Sequence, residues 1–173
     1  GGATMKGVTL ATYRKYKPGA TKTQLRAISD ADLAMIYRDG YWNKVKGDDL
    51  PAGLDLVAFD AAVNSGPGRG ARWLQEALGV NPDGVIGPKT IAAAKDAHKE
   101  AVIDRACSIR LNWLRTLPHW PTFGKGWTRR VEDVRDTASK MAAEHVTVTP
   151  VAPPSQSNPF AALIAWLNRI FGV

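Results

Sequence analysis

Apolar positions recur along this chain at helical spacing. The opening GGATMKGVT is glycine-rich and β-branched, which predicts a tight turn or short hairpin. Thr9 then stands where a hydroxyl can cap LATYRKYK, a run that stops at Pro18-Gly19. Ser29 can cap DADLAMIYRDGYW, in which Leu33, Ile36, Tyr37 and Tyr41 recur with the period of a helix. GLDLVAFDAAVNSG is apolar around almost its whole circumference, the pattern of a helix buried at the centre of an all-α domain. Its polar residues Asp60 and Asn64, at i and i+4, fall on one face.

A glycine-rich break, SGPGRG, precedes ARWLQEALG, the turn NPDG and then IGPKTIAAAKDAH, with Pro88 in the first turn of its helix. Residues 100–117 read as a long helix with an apolar stripe of Val102, Ile103, Ala106, Ile109, Trp113 and Leu117. PHWPTFGKGW reads as an aromatic and glycine-rich loop before a last helix at about 127–144. Residues 146–159 are a proline-rich linker. Residues 160–173 form an amphipathic tail suited either to a membrane surface, with Trp166 and Arg169 at headgroup level, or to docking on protein.

Composition narrows the function classes. The 173 residues are 45% hydrophobic and 23% charged, which excludes a disordered or collagen-like chain. Cys107 alone gives no disulfide framework, fits folding in a reducing compartment and reads as a small core residue. With three scattered His it builds no structural zinc site, and no metal is expected. The excess of 23 Lys and Arg over 16 Asp and Glu favours a polyanionic partner. WPTFGKGWTRR mixes its aromatics with turn residues rather than spreading them along a basic helix or sheet. It suits a carbohydrate groove or the packed end of a bundle better than nucleic acid.

There is no phosphate loop, dinucleotide fingerprint, HExxH or nucleophile elbow. Glu76, Glu100, Glu132 and Glu144 all sit in stretches that look solvated, so none is an obvious general acid. Asp60, on the apolar central helix, is either a structural hydrogen-bonding residue or a functional one.

In order, GGATMKGVTLATY, ISDADLAMIYRDGYW, LPAGLDLVAFDAAVNSGPGRGARWLQEALG and PDGVIGPKT resemble the muramidases of glycoside hydrolase family 108, continuously from Gly1 to about Met141. The likeness extends to phage-type endolysins and to secretion-assisting muramidases. It implies a mainly α, lysozyme-like domain over 1–66 with a small N-terminal hairpin, and an appended helical peptidoglycan-binding bundle over 67–145. The implied reaction is hydrolysis of the bond between N-acetylmuramic acid and N-acetylglucosamine, in peptidoglycan of the periplasm, by a protein made in the cytoplasm and without a cofactor.

The family's pattern of Glu-Gly-Gly-Tyr, then Asp, then GGxT departs from this chain at one point: its catalytic Glu and Asp fall ahead of Gly1. Thr4 matches the GGxT threonine and is expected to hold the attacking water, unless it serves only as a turn hydroxyl. Asn64, Ser65 and Gly66 resemble the end of the lysozyme central helix at the cleft floor, where an amide both donates and accepts. Tyr41, Trp42 and Asp60 complete the expected substrate contacts, with core packing the competing use of the two aromatics. An inverting outcome is expected. The alternative is a non-catalytic wall-binding or secretion-assisting protein.

Overall fold

The structure, a computed structural model, describes residues 2–144. The expected linker and amphipathic tail lie outside them. The described residues form two compact units, 2–40 and 41–144.

The first unit begins with the expected hairpin. Strands β1 (Thr4–Met5) and β2 (Val8–Thr9) pair antiparallel, Thr4 opposite Thr9 and Met5 opposite Val8. The two turn residues, Lys6 and Gly7, have φ of 47° and 77°, the left-handed pair that matches strand twist in a two-residue hairpin. Lys6 is held in this unfavourable region from two sides. Its carbonyl accepts from the Tyr37 hydroxyl at 2.9 Å, and its ammonium lies 3.4 Å from Asp30.

Helix α1 (Leu10–Tyr16) is capped by Thr9 and α3 (Asp30–Tyr37) by Ser29, as the sequence predicts. Between them lies α2 (Lys22–Arg26), too short to show periodicity but marked by a reciprocal cap between Thr21 and Gln24. Val8, Tyr13, Leu25, Leu33, Ile36 and Tyr37 are buried in this unit. The helical run ending in Tyr41 and Trp42 does not continue regularly. Residues Arg38–Trp42 form a π-helical turn.

In the second unit the expected central helix is α4 (Leu54–Ser65), with residues 56–62 all buried. It packs against α5 (Pro67–Leu78), α7 (Lys99–Arg115) and α8 (Trp120–Glu144). Helices α4 and α5, on either side of the 66/67 boundary read from the sequence, thus lie in one core. The glycine-rich stretch between them is not a break, because α5 starts at Pro67. Gly66, at φ 90°, ends one helix and starts the next. Its N–H donates to Ala62 O at 2.8 Å while its carbonyl accepts from Gly70 N at 3.1 Å. Gly70 then lets the helices meet, since a Cβ there would stand 2.8 Å from Ala62 N and 3.0 Å from Ala58 O.

The NPDG turn and α6 (Pro88–Asp96) fold around the buried Gln75. Its Nε2 donates to Asp83 Oδ1 at 2.8 Å and Val85 O at 3.0 Å, and its Oε1 accepts from Gly84 N at 2.8 Å. These bonds account for the polar backbone of a turn that carries little apolar surface of its own.

Two expectations need correction. The aromatic stretch is helical from Trp120, because Pro121 fits a first helical turn and Gly124 lets the Trp120 ring lie against the helix backbone. Val102, Ile103 and Ala106 of the stripe expected on α7 are buried, but the buried face departs from that stripe beyond them. Ile103, Cys107, Arg110 and Leu114 are buried, whereas Ile109 and Trp113 are half-exposed. A buried Arg hides this face from an apolar-periodicity reading. Burial pushes the Cys107 thiol up to about 11, so it stays protonated and serves as packing.

Candidate functional site

The last two turns of α4 carry a buried charged cluster of the second unit. Asp60 is fully buried, and its carboxylate is shared by two guanidinium groups. Arg110 Nη1, from α7, donates to Oδ2. Arg130, from α8, donates to Oδ1 through Nε at 2.9 Å and Nη2 at 2.7 Å. One turn along, Asn64 Nδ2 donates to Asp60 O at 2.8 Å and reaches Oδ1 at 3.3 Å. Asp60 and Asn64 share a face, as their spacing predicts. With its amide nitrogen engaged there, Asn64 keeps its carbonyl oxygen as the acceptor.

Asp60 was expected to touch substrate directly. With no exposed surface it acts instead by fixing Arg110 and Arg130. A single carboxylate between two guanidiniums leaves the group net positive, and burial strengthens every charge–charge interaction within it.

Asn64 and Ser65 line a pocket of about 150 Å³ beside this group, together with Arg69, Arg110, Trp113 and Arg130. Arg69, from the first turn of α5, lays its guanidinium over the Trp113 ring, 4.2 Å from the centroid. Trp73 supports the same indole at 5.5 Å. Trp127 also borders the pocket, and its ring lies 5.8 Å from that of Phe123, which is 52% exposed. An aromatic strip on α8 therefore leads into the cationic pocket. This arrangement suits a ligand that has both a flat apolar face and a negative group.

The other expected site residues lie elsewhere. Trp42 Nε1 donates to Asp48 Oδ1 at 2.9 Å, its ring meets Phe59 edge-on at 5.6 Å, and Gly47 sits beneath the indole. The half-buried Tyr41 and Trp42 do not line the pocket at Asn64. Thr4 is exposed on β1 of the first unit, and its hydroxyl makes a long bond of 3.4 Å to Gly2 O. The hydroxyl of Thr9, opposite it, is occupied in capping α1. Among the described residues no group of three or more His, Cys, Asp or Glu side chains could hold a metal ion.

Sequence reasoning missed Arg69, Arg110 and Arg130 as a set. They come from three helices, and Arg110 and Arg130 are 50 and 70 residues from Asp60. No local spacing links them. Two signals were available: a charged residue inside the buried face of α7, and the WPTFGKGWTRR stretch, read as suited to a carbohydrate groove, which contains Trp127 and Arg130.

The family model described as glycosyl hydrolase 108 matches residues 1–66, and one described as a predicted peptidoglycan domain matches residues 69–132. No curated protein matches the chain. Among solved structures, SagA of Brucella abortus is similar, with 44% identity, 79% of each chain covered and a TM-score of 0.70. Identity at this level over most of both chains, on a shared mainly helical fold, means that the chain belongs to the glycosyl hydrolase 108 family.

Proposed function

We propose that the protein is an N-acetylmuramidase that cleaves the bond between N-acetylmuramic acid and N-acetylglucosamine in periplasmic peptidoglycan. The observation that carries this reading is the succession of a glycosyl hydrolase 108 match and a peptidoglycan domain match along one chain. Membership of the family gives the coarser function, a lysozyme-like hydrolase that works on peptidoglycan; the bond cleaved is the finer step.

In this reading a Glu that the family's pattern sets ahead of Gly1 protonates the leaving oxygen, and the Asp that follows it activates water. Thr4 positions that water. Support for this role is its exposure and its weakly engaged hydroxyl, in contrast to the capping Thr9. Attack from the face opposite the leaving group inverts the anomeric centre.

The test is to incubate the full-length protein with purified sacculi, follow reducing ends and read the first product's anomeric configuration by NMR. Release of inverted product is expected. Thr4→Ala should lower kcat by roughly 10-fold to 100-fold with KM little changed, the effect of a misplaced nucleophile. Sacculus binding without reducing ends would overturn the enzyme reading in favour of a wall-binding protein. A retained configuration would overturn inversion alone.

A further inference from the structure

We propose that the pocket at the C-terminal end of α4 is a carboxylate subsite that takes a free carboxylate of the peptide attached to the glycan strand. It rests on the reading that the protein acts on peptidoglycan, and it adds that the peptide is recognised together with the sugar.

Charge comes first. Arg69, Arg110 and Arg130 face the pocket, and the Asp60 carboxylate offsets one of the three positive charges. Arg69 is stacked on Trp113, and no carboxylate among the described residues forms an ion pair with its guanidinium. Its flat face is thus held while its N–H edge remains for a ligand.

A second observation is independent of that charge. Arg110 is 4% exposed, and its Nε has no hydrogen-bond acceptor among the described residues. A buried donor without an acceptor is uncommon in a well-packed core, and here it belongs to a side chain that lines the pocket.

The shape of the surroundings selects among anions. Planar guanidinium edges match planar carboxylates, and the Asn64 carbonyl can accept an amide N–H from the same peptide. Trp127 and Phe123 extend the site along α8 as a surface on which a sugar ring can stack. A glycan strand bearing peptides carries all three features: ring faces, amide N–H groups and free carboxylates. A phosphate polymer of the wall shares only the negative charge.

Soluble glycan strands with their peptides, and the same strands stripped of peptide by an amidase and then capped as methylamides at the lactyl carboxylates that the cleavage frees, are mixed with the full chain. Binding is read from tryptophan fluorescence in the first seconds, before turnover. Peptide-bearing strands should bind about tenfold more tightly, as expected for one charge-assisted contact. Arg69→Ala should erase that difference, leave the affinity for stripped strands unchanged and, since Arg69 is exposed, leave thermal unfolding nearly unmoved. Equal affinity for both strands overturns the subsite and leaves the peptidoglycan reading intact. Failure to bind either strand overturns both. Stronger competition by polyglycerol phosphate than by free stem peptide overturns the peptide assignment and makes the ligand a phosphate.

Discussion

Replacing Asp60 by Asn keeps the shape of the side chain and removes its charge, which isolates what that charge holds in place. The amide oxygen can still accept from Arg130, whose side chain is 18% exposed and can recover some hydration. The amide nitrogen, however, would face Arg110 Nη1, donor against donor. The Arg110 side chain is only 5% exposed and recovers little hydration. Breaking a buried ion pair from one side costs about 3–5 kcal/mol, because the remaining charge stays buried without compensation. At roughly 2–4 °C per kcal/mol for a chain of this size, Tm should fall by about 6–20 °C. Urea unfolding followed by far-UV circular dichroism gives the free energy directly. Adding Arg110→Met to Asp60→Asn should return part of the loss, since it removes the stranded charge and keeps the volume. A loss below about 1 kcal/mol for Asp60→Asn, with activity abolished, would refute this reasoning and return Asp60 to the substrate contacts.

Two glycines should respond with opposite signs. Gly70→Ala places a Cβ against the α4 backbone, so overpacking of about 1–3 kcal/mol outweighs the roughly 1 kcal/mol of helix propensity gained, and the protein should lose stability. Gly126→Ala meets nothing within 4 Å and should stabilise by about 1 kcal/mol; urea midpoints of the two variants check both signs. A third prediction concerns pH. The Lys17 ammonium, bonded to Asp32 at 2.7 Å, holds the Asp32 carboxyl below the usual range, and the same bond raises the Lys17 pKa. The pair's contribution is therefore fully present between the ordinary carboxylate value near 3.9 and the ordinary lysine value near 10.4. It is lost as pH falls through the lowered Asp32 pKa or rises through the raised Lys17 pKa. Stability measured across pH should show wild type and Asp32→Asn differing by a constant amount over this plateau, converging at the acid end and narrowing at the alkaline end, where the Tyr13 hydroxyl still donates to Asp32.

Capped helices were the most legible part of the chain. Thr9 and Ser29 mark true helix starts, and the apolar run of α4 is the buried helix its circumference implied. Errors gathered where glycine read as a breaker. Gly70 and Gly124 lie inside helices, each serving a close approach that appears only after folding, to the α4 backbone in one case and to the Trp120 ring in the other. The five-residue α2 shows no period, although its Thr21-to-Gln24 cap was available as a signal. At the site, the i, i+4 relation of Asp60 and Asn64 was readable because it is local. The guanidiniums that close around Asp60 come from elsewhere in the chain, and only tertiary packing brings them there. The likeness that identified the family resided in ordered motifs; one of them contains Arg69 without giving it a role, and none contains Arg110.

Gly66 joins α4 to α5 with no residue to spare, and Gly70 presses the two helices together one turn later. This elbow limits how the chain can be recombined. A fusion that exchanged the stretch after residue 66 for another binding module would strip α4 of its main covering and separate Asn64 from Arg69. The peptidoglycan segment is therefore no detachable cassette, and selection on either portion must pass through the same pair of helices.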